Sequence, residues 1–117
     1  ALHRMLSSSS AKDPKPADPF MIQGMLAAAY RRLLRLDDPT IATKEDAAKA
    51  LGMKSPGGAR FRLDAARKLG SDGLRDAISL LAQSELDLRG EAGLDDRTVI
   101  EVLVARLAAL NRRSARR

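Results

Sequence analysis

The stretch EDAAKALGMKSPGGARFRLDAARKLG, Glu45 to Gly70, reads as a short helix, a tight glycine turn and a basic helix. Thr43 followed by Asp46 makes a capping box with the shorter acid; it opens a helix to Leu51, where Gly52 supplies a left-handed cap. Ser55 and Pro56 start the second helix, whose apolar positions Ala59, Leu63 and Ala66 are flanked by Phe61 and Leu69. Arg60, Arg62, Arg67 and Lys68 fall to the solvent side, and Gly70 ends the segment. This is the outline of a DNA-reading helix-turn-helix, a motif that carries the first-turn side chains of its second helix to base edges in the major groove. Here that turn contains Gly57 and Gly58, which present no side chains and each weaken a helix by up to about 1 kcal/mol. Gly58 also stands where the motif wants a bulky apolar residue. The stretch therefore reads as two packed helices. Lys54, Arg60, Arg62, Arg67 and Lys68 stay as candidate nonspecific phosphate contacts, because with Asp64 they give this region a net charge of +4. Without aromatics along the helix, stacking on single strands is not expected.

Upstream, Asp18 is the N-cap and Pro19 the first helical position of FMIQGMLAAAYRRLLRL, with Ile22, Leu26, Ala29, Tyr30 and Leu33 on one face. Met21, Met25, Ala28 and Leu34 widen the apolar arc, which predicts neighbours on two sides. DDPT stops this helix. Before it, SSSSAKDPKPADP, Ser7 to Pro19, has a serine run, three prolines and no apolar side chain larger than Ala, and reads as a linker. Leu2, Met5 and Leu6 have helical spacing without a preceding cap, so residues 1–19 are expected to be the end of an earlier helix plus this linker.

Downstream, Ser71 is expected to cap a helix carrying Leu74, Ile78, Leu81 and Glu85 at helical spacing, with Ala77 and Ala82 beside them. Glu85 is an acid on an apolar stripe. Arg89 follows four residues later in the favourable order for a local ion pair, and a cross-helix or intersubunit contact is the alternative. RGEAGLDD forms a loop and the next N-cap. The last helix, from about Arg97, carries Val99, Ile100, Val102, Leu103, Val104, Leu107 and Leu110, more apolar surface than one packing face uses. No segment alternates long enough to be a strand.

Composition agrees with an all-α chain: 117 residues, 44% hydrophobic, 31% charged and three aromatics, so the core is aliphatic. With no cysteine and one histidine, His3, thiolate and imidazole metal sites are excluded, and a nucleophile would lack a suitable base. KSPGGARF lacks the closing Gly-Lys-Ser/Thr of a phosphate-binding loop, and the acid pairs Asp37–Asp38 and Asp95–Asp96 fall at helix boundaries where capping accounts for them. No cofactor and no catalytic activity are expected. No apolar run approaches the roughly 20 residues of a bilayer span, and ALHRML is too short and charged for a secretory signal, so the expected location is cytoplasmic. The formal charge is +6, of which Arg112, Arg113, Arg116 and Arg117 in an expected 112–117 basic tail contribute four.

In their order, AAKALGM, a basic helix ending AARKL, LRDAISLLAQSELDLRG, a short loop and IEVLVARLAAL resemble the C-terminal domain of the delta subunit of the bacterial DNA polymerase III clamp loader. The resemblance covers about Phe20 to Leu110. Glu85 and Arg89 stand where that family commonly has Asp and Lys, and Gly57-Gly58 replaces bulkier residues. The resemblance implies a collar-like bundle of about five helices over residues 20–111, without catalysis of its own. It would join delta-prime and a motor subunit in the polymerase III holoenzyme, where the loader places the sliding clamp on DNA. Candidate subunit contacts are Tyr30, Arg31 and Leu34 on the first long helix, Leu103, Leu107 and Leu110 on the last, and the Glu85–Arg89 pair. The alternatives are a collar domain of a related motor subunit and a nucleic-acid-binding module built on residues 45–70.

Overall fold

Four α-helices make up the computed structural model, which describes residues 18–90 and 93–115; no strand occurs among them. They are α1 (Pro19–Arg35), α2 (Lys44–Leu51), α3 (Pro56–Leu88) and α4 (Asp96–Ala115). The difference from the expected five is one of counting. Gly70 sits at φ 73°, ψ 174° within α3, a conformation nearly confined to glycine. It bends α3 into a first arm, residues 56–69, and a second, residues 71–88.

The helix ends form as their residue chemistry predicts. Asp18 accepts the Phe20 amide at 2.9 Å, and Pro19 lacks the N–H that an N-terminal turn would leave unpaired. Thr43 and Asp46 cap α2 reciprocally: the Thr43 hydroxyl accepts the Asp46 amide, and the Asp46 carboxylate accepts the Thr43 amide. Gly52, at φ 67°, closes it. Asp95 accepts the Thr98 amide at 2.7 Å and starts α4. Ser55 and Pro56 open α3 as expected, at its N-cap and first position, although Ser55 makes no side-chain capping bond. One expectation changes: the Ser71 hydroxyl donates to Asp37 at 2.8 Å, tying the bend of α3 to the end of α1.

The second arm of α3 is the axis of the bundle. Gln23 donates to the Leu81 carbonyl at 3.1 Å while Asp37 meets Ser71, so α1 runs antiparallel to this arm. Along α4, Leu103 shares a groove with Leu80 and Ser84, and the Ser114 hydroxyl lies 3.6 Å from where a Cβ on Gly73 would stand. Helix α4 is therefore antiparallel to the arm as well, and parallel to α1. The Asn111 amide nitrogen donates to the Tyr30 hydroxyl at 3.1 Å and joins those two helices directly.

The first arm packs on α2, whose Ala47 and Ala48 are buried. A Cβ on Gly58 would stand 2.9 Å from the Met53 methyl, the flexible end of a side chain that would have to shift, whereas Gly57 meets only Ser55 at 3.8 Å and nothing in the structure requires glycine there. Leu63 and Leu74, at 1% and 0% exposure, anchor the two arms; burying such a side chain contributes about 1.5–3 kcal/mol.

Candidate functional site

Helix α1 turns Ile22, Leu26, Tyr30 and Leu33 toward the core, where they are half-buried, and buries Ala27. With 3.6 residues per turn, Met21, Gly24 and Met25 then point away from it. Met21 is 61% exposed and Met25 66%, with Phe20 at 52% beside them. Helix α1 packs against α3, α4 and α2, so neighbours on more than one side are present, while the side bearing Met21 and Met25 is left uncovered by the described residues. Two large apolar side chains one turn apart, with a phenylalanine at the rim, leave an apolar surface on the outer side of α1.

The sequence-predicted contact residues divide by environment. Leu103, Leu107 and Leu110 lie in the core at 3%, 5% and 2% exposure. They face the arm of α3 and are closed to a partner, which corrects the expectation for α4; its exposed apolar side chains are Val102 and Val104 instead. Tyr30 is half-buried with its hydroxyl held by Asn111, which also donates to the Leu107 carbonyl at 2.8 Å. Leu34 is 39% exposed and Arg31 is exposed. Arg31 and Glu85 border a shallow groove with Ala27, Ile78, Leu81 and Ala82 between α1 and the second arm. Arg89 reaches Glu85 at 2.8 Å with both side chains more than half exposed, the local pair expected at this spacing and worth a few tenths of a kcal/mol.

The candidate phosphate contacts around the α2–α3 turn are largely engaged within the fold. Arg60 pairs with Asp64 at 3.3 Å. Arg62 donates to the Gly58 carbonyl at 3.4 Å and rests against the Met53 sulfur at 3.8 Å. Arg67 donates to the carbonyls of Ala42 at 2.9 Å and Ile41 at 3.4 Å, clamping the α1–α2 loop to α3. Lys54 and Lys68 are exposed. Phe61, expected to flank the buried stripe, is 76% exposed and borders an open depression with Asp64, Ala65, Arg67 and Lys68.

Three carboxylates are held below their ordinary range, each by local hydrogen bonds. The Thr40 amide and hydroxyl act on Asp38, the Ala42 and Thr43 amides on Asp46, and the Thr98 amide and hydroxyl on Asp95. All three sit at turns or caps, where stabilising the charged form organises backbone. The expected segment boundary at residue 112 shifts too. Helix α4 continues through Ala115, so Arg112 and Arg113 occupy its last turn and Ser114 is buried. The expected preceding helix, most of the linker, and Arg116 and Arg117 lie outside the described residues.

Sequence reasoning missed Asn111, Gln23 and Arg67 as tethers. Each is a polar residue whose partner stands 25 to 81 positions away, and no local spacing reports that.

No known protein family, no curated protein and no solved structure matches this chain. Among the described residues no helix is long and apolar enough to cross a membrane.

Proposed function

We propose that this chain is a subunit-assembly module, the collar domain of a DNA polymerase III clamp loader delta subunit, working in the cytoplasm without a catalytic role of its own. The segment order resembling that family is what supports this identity. The observation that carries the assembly role is the outer face of α1, where Met21 and Met25 stand 61% and 66% exposed. Water contact with these side chains has a cost that a packed partner helix removes. In this reading the face meets delta-prime or a motor subunit; Leu34 lies about 180° round α1 from Met25 and Arg31 borders the groove toward α3, so neither belongs to this contact. The nucleic-acid alternative at residues 45–70 is weaker, because Arg60, Arg62 and Arg67 already have partners within the fold.

The test is size-exclusion chromatography with light scattering of the chain, alone and mixed with matching delta-prime and motor subunits, at low and moderate salt. A stoichiometric complex that survives moderate salt is expected, and Met21→Glu with Met25→Glu abolishes it while leaving the helical circular dichroism intact. Assembly unaffected by the two substitutions would remove this face from the interface. Absence of any complex would overturn the assembly role.

A further inference from the structure

Phe61 is the most exposed large apolar side chain among the described residues, at 76%, and no contact within the fold uses it. On the outer face of the first arm of α3 it borders an open depression with Asp64, Ala65, Arg67 and Lys68. Asp64 is already paired with Arg60, whereas Arg67 bonds to the uncharged carbonyls of Ile41 and Ala42 and keeps its full charge. An aromatic ring thus lies beside two cations, Arg67 and Lys68, that have no carboxylate partner among the described residues. Gly57 stands four residues before Phe61 on the same helix face. A Cβ there would meet only Ser55 at 3.8 Å, so the surface next to the ring is open to the close approach of another backbone.

The complementary chemistry stands beyond the other end of α3. Leu94 is 45% exposed and is followed directly by Asp95 and Asp96, where α4 begins. Glu85 and Glu101 nearby are paired with Arg89 and Arg97, while Asp95 and Asp96 have no cationic partner among the described residues. Asp95 accepts the Thr98 amide at 2.7 Å, which favours its charged form. Val99 shares a groove with Ser84 and Asp87, so Leu94, upstream on the antiparallel α4, lies at the Leu88 end of α3. Phe61 is about 13.5 Å before the bend of α3 and Leu88 about 27 Å after it. Whatever the angle of the bend, the two ends stay more than about 13 Å apart, and the two surfaces do not meet within one chain.

We propose that the Phe61 face receives a second copy of this chain: Leu94 of one copy packs on Phe61 of the next, with Asp95 and Asp96 set against Arg67 and Lys68. Each side offers one apolar anchor and two charges of opposite sign. Because the two surfaces differ, the contact is heterologous, and a copy docked through its Leu94 turn still presents its own Phe61 face, so association continues head to tail. A contact of this size is weak and reversible, and its charge pairs make it sensitive to salt. It lies apart from the Met21–Met25 face and is independent of the collar reading.

Sedimentation equilibrium of the chain from about 20 µM to 1 mM, in low and moderate salt, tests this. The mass is expected to rise with concentration past that of a dimer, and to rise less in moderate salt. Phe61→Gln and Leu94→Gln each remove one anchor from an exposed position, so the helical circular dichroism is unchanged while self-association weakens at least tenfold. Mixed in equal amounts, the two variants regain one intact pairing, Leu94 of the first on Phe61 of the second. They form a dimer with the affinity of the parent contact and stop there. A parent chain that stays monomeric or halts at a dimer would overturn the proposal, as would a variant that associates like the parent or a mixture no heavier than its components. Loss of self-association in Met21→Glu with Met25→Glu would overturn it too, by moving the contact to the outer face of α1.

Discussion

Replacing Gly70 by Ala isolates the backbone requirement at the bend of α3. Gly70 has φ 73° and ψ 174°, and a Cβ placed there would meet nothing within 4 Å. Steric contact therefore contributes nothing, and the whole effect comes from forcing an L-residue into a region nearly reserved for glycine, about 1–3 kcal/mol. The chain could escape by becoming helical at residue 70, where alanine would gain up to about 1 kcal/mol. That route straightens α3 into a rod about 50 Å long. It would tear one arm from its neighbours, although Leu63 on the first arm and Leu74 on the second are both buried at 1% or less. The strained bend remains the cheaper state. For a domain of this size the loss lowers the melting temperature by roughly 5–15 °C.

Urea denaturation followed by far-ultraviolet circular dichroism measures it, with calorimetry for the melting temperature. Gly24→Ala is the matched control: its Cβ also meets nothing within 4 Å, but Gly24 lies inside α1, so the change stabilises by about 0.5–1 kcal/mol. A Gly70→Ala protein as stable as the parent, together with a stabilised Gly24→Ala, would refute the bend as a glycine-dependent feature.

The Ser114 hydroxyl is buried with no hydrogen-bond partner among the described residues, so Ser114→Ala should leave stability unchanged or raise it by up to about 1 kcal/mol; a loss above that in urea titration would mean the hydroxyl is satisfied. Acid sensitivity has a defined sign: Asp38, Asp46 and Asp95 have folded values below the ordinary 3.8. Their stabilisation is complete above the unfolded value and fades as pH falls through the lowered ones. The urea midpoint should therefore drop below about pH 4, and the triple Asp→Asn variant should show a shallower drop; an equally steep one would assign the acid loss to other groups.

Much of the local architecture was legible from short-range chemistry. The Thr43–Asp46 box, the Gly52 cap, the Asp18–Pro19 start and the break at Gly70 each involve residues at most a few positions apart, and each formed where expected. Periodicity was less decisive for α4. Val99, Leu103, Leu107 and Leu110 entered the core while Val102 and Val104 remained exposed, because a helix apolar on several sides does not say which side its neighbour takes. The arginines of the 54–68 region looked alike as sequence. Arg67 became a loop clamp because the carbonyls of Ile41 and Ala42 arrive from an earlier segment.

By itself the sequence determined an all-α chain, most of its helix starts and the break at Gly70, since these depend on capping groups, glycine dihedrals and apolar spacing within a turn or two. Only the tertiary structure decided that α1 and α4 run parallel on either flank of one arm of α3, which buries three leucines once open to an interface role. The same arrangement leaves Met21 and Met25 facing outward. These outcomes depend on which helices meet, and that is set by the joint packing of side chains separated by tens of residues, to which no local pattern is sensitive.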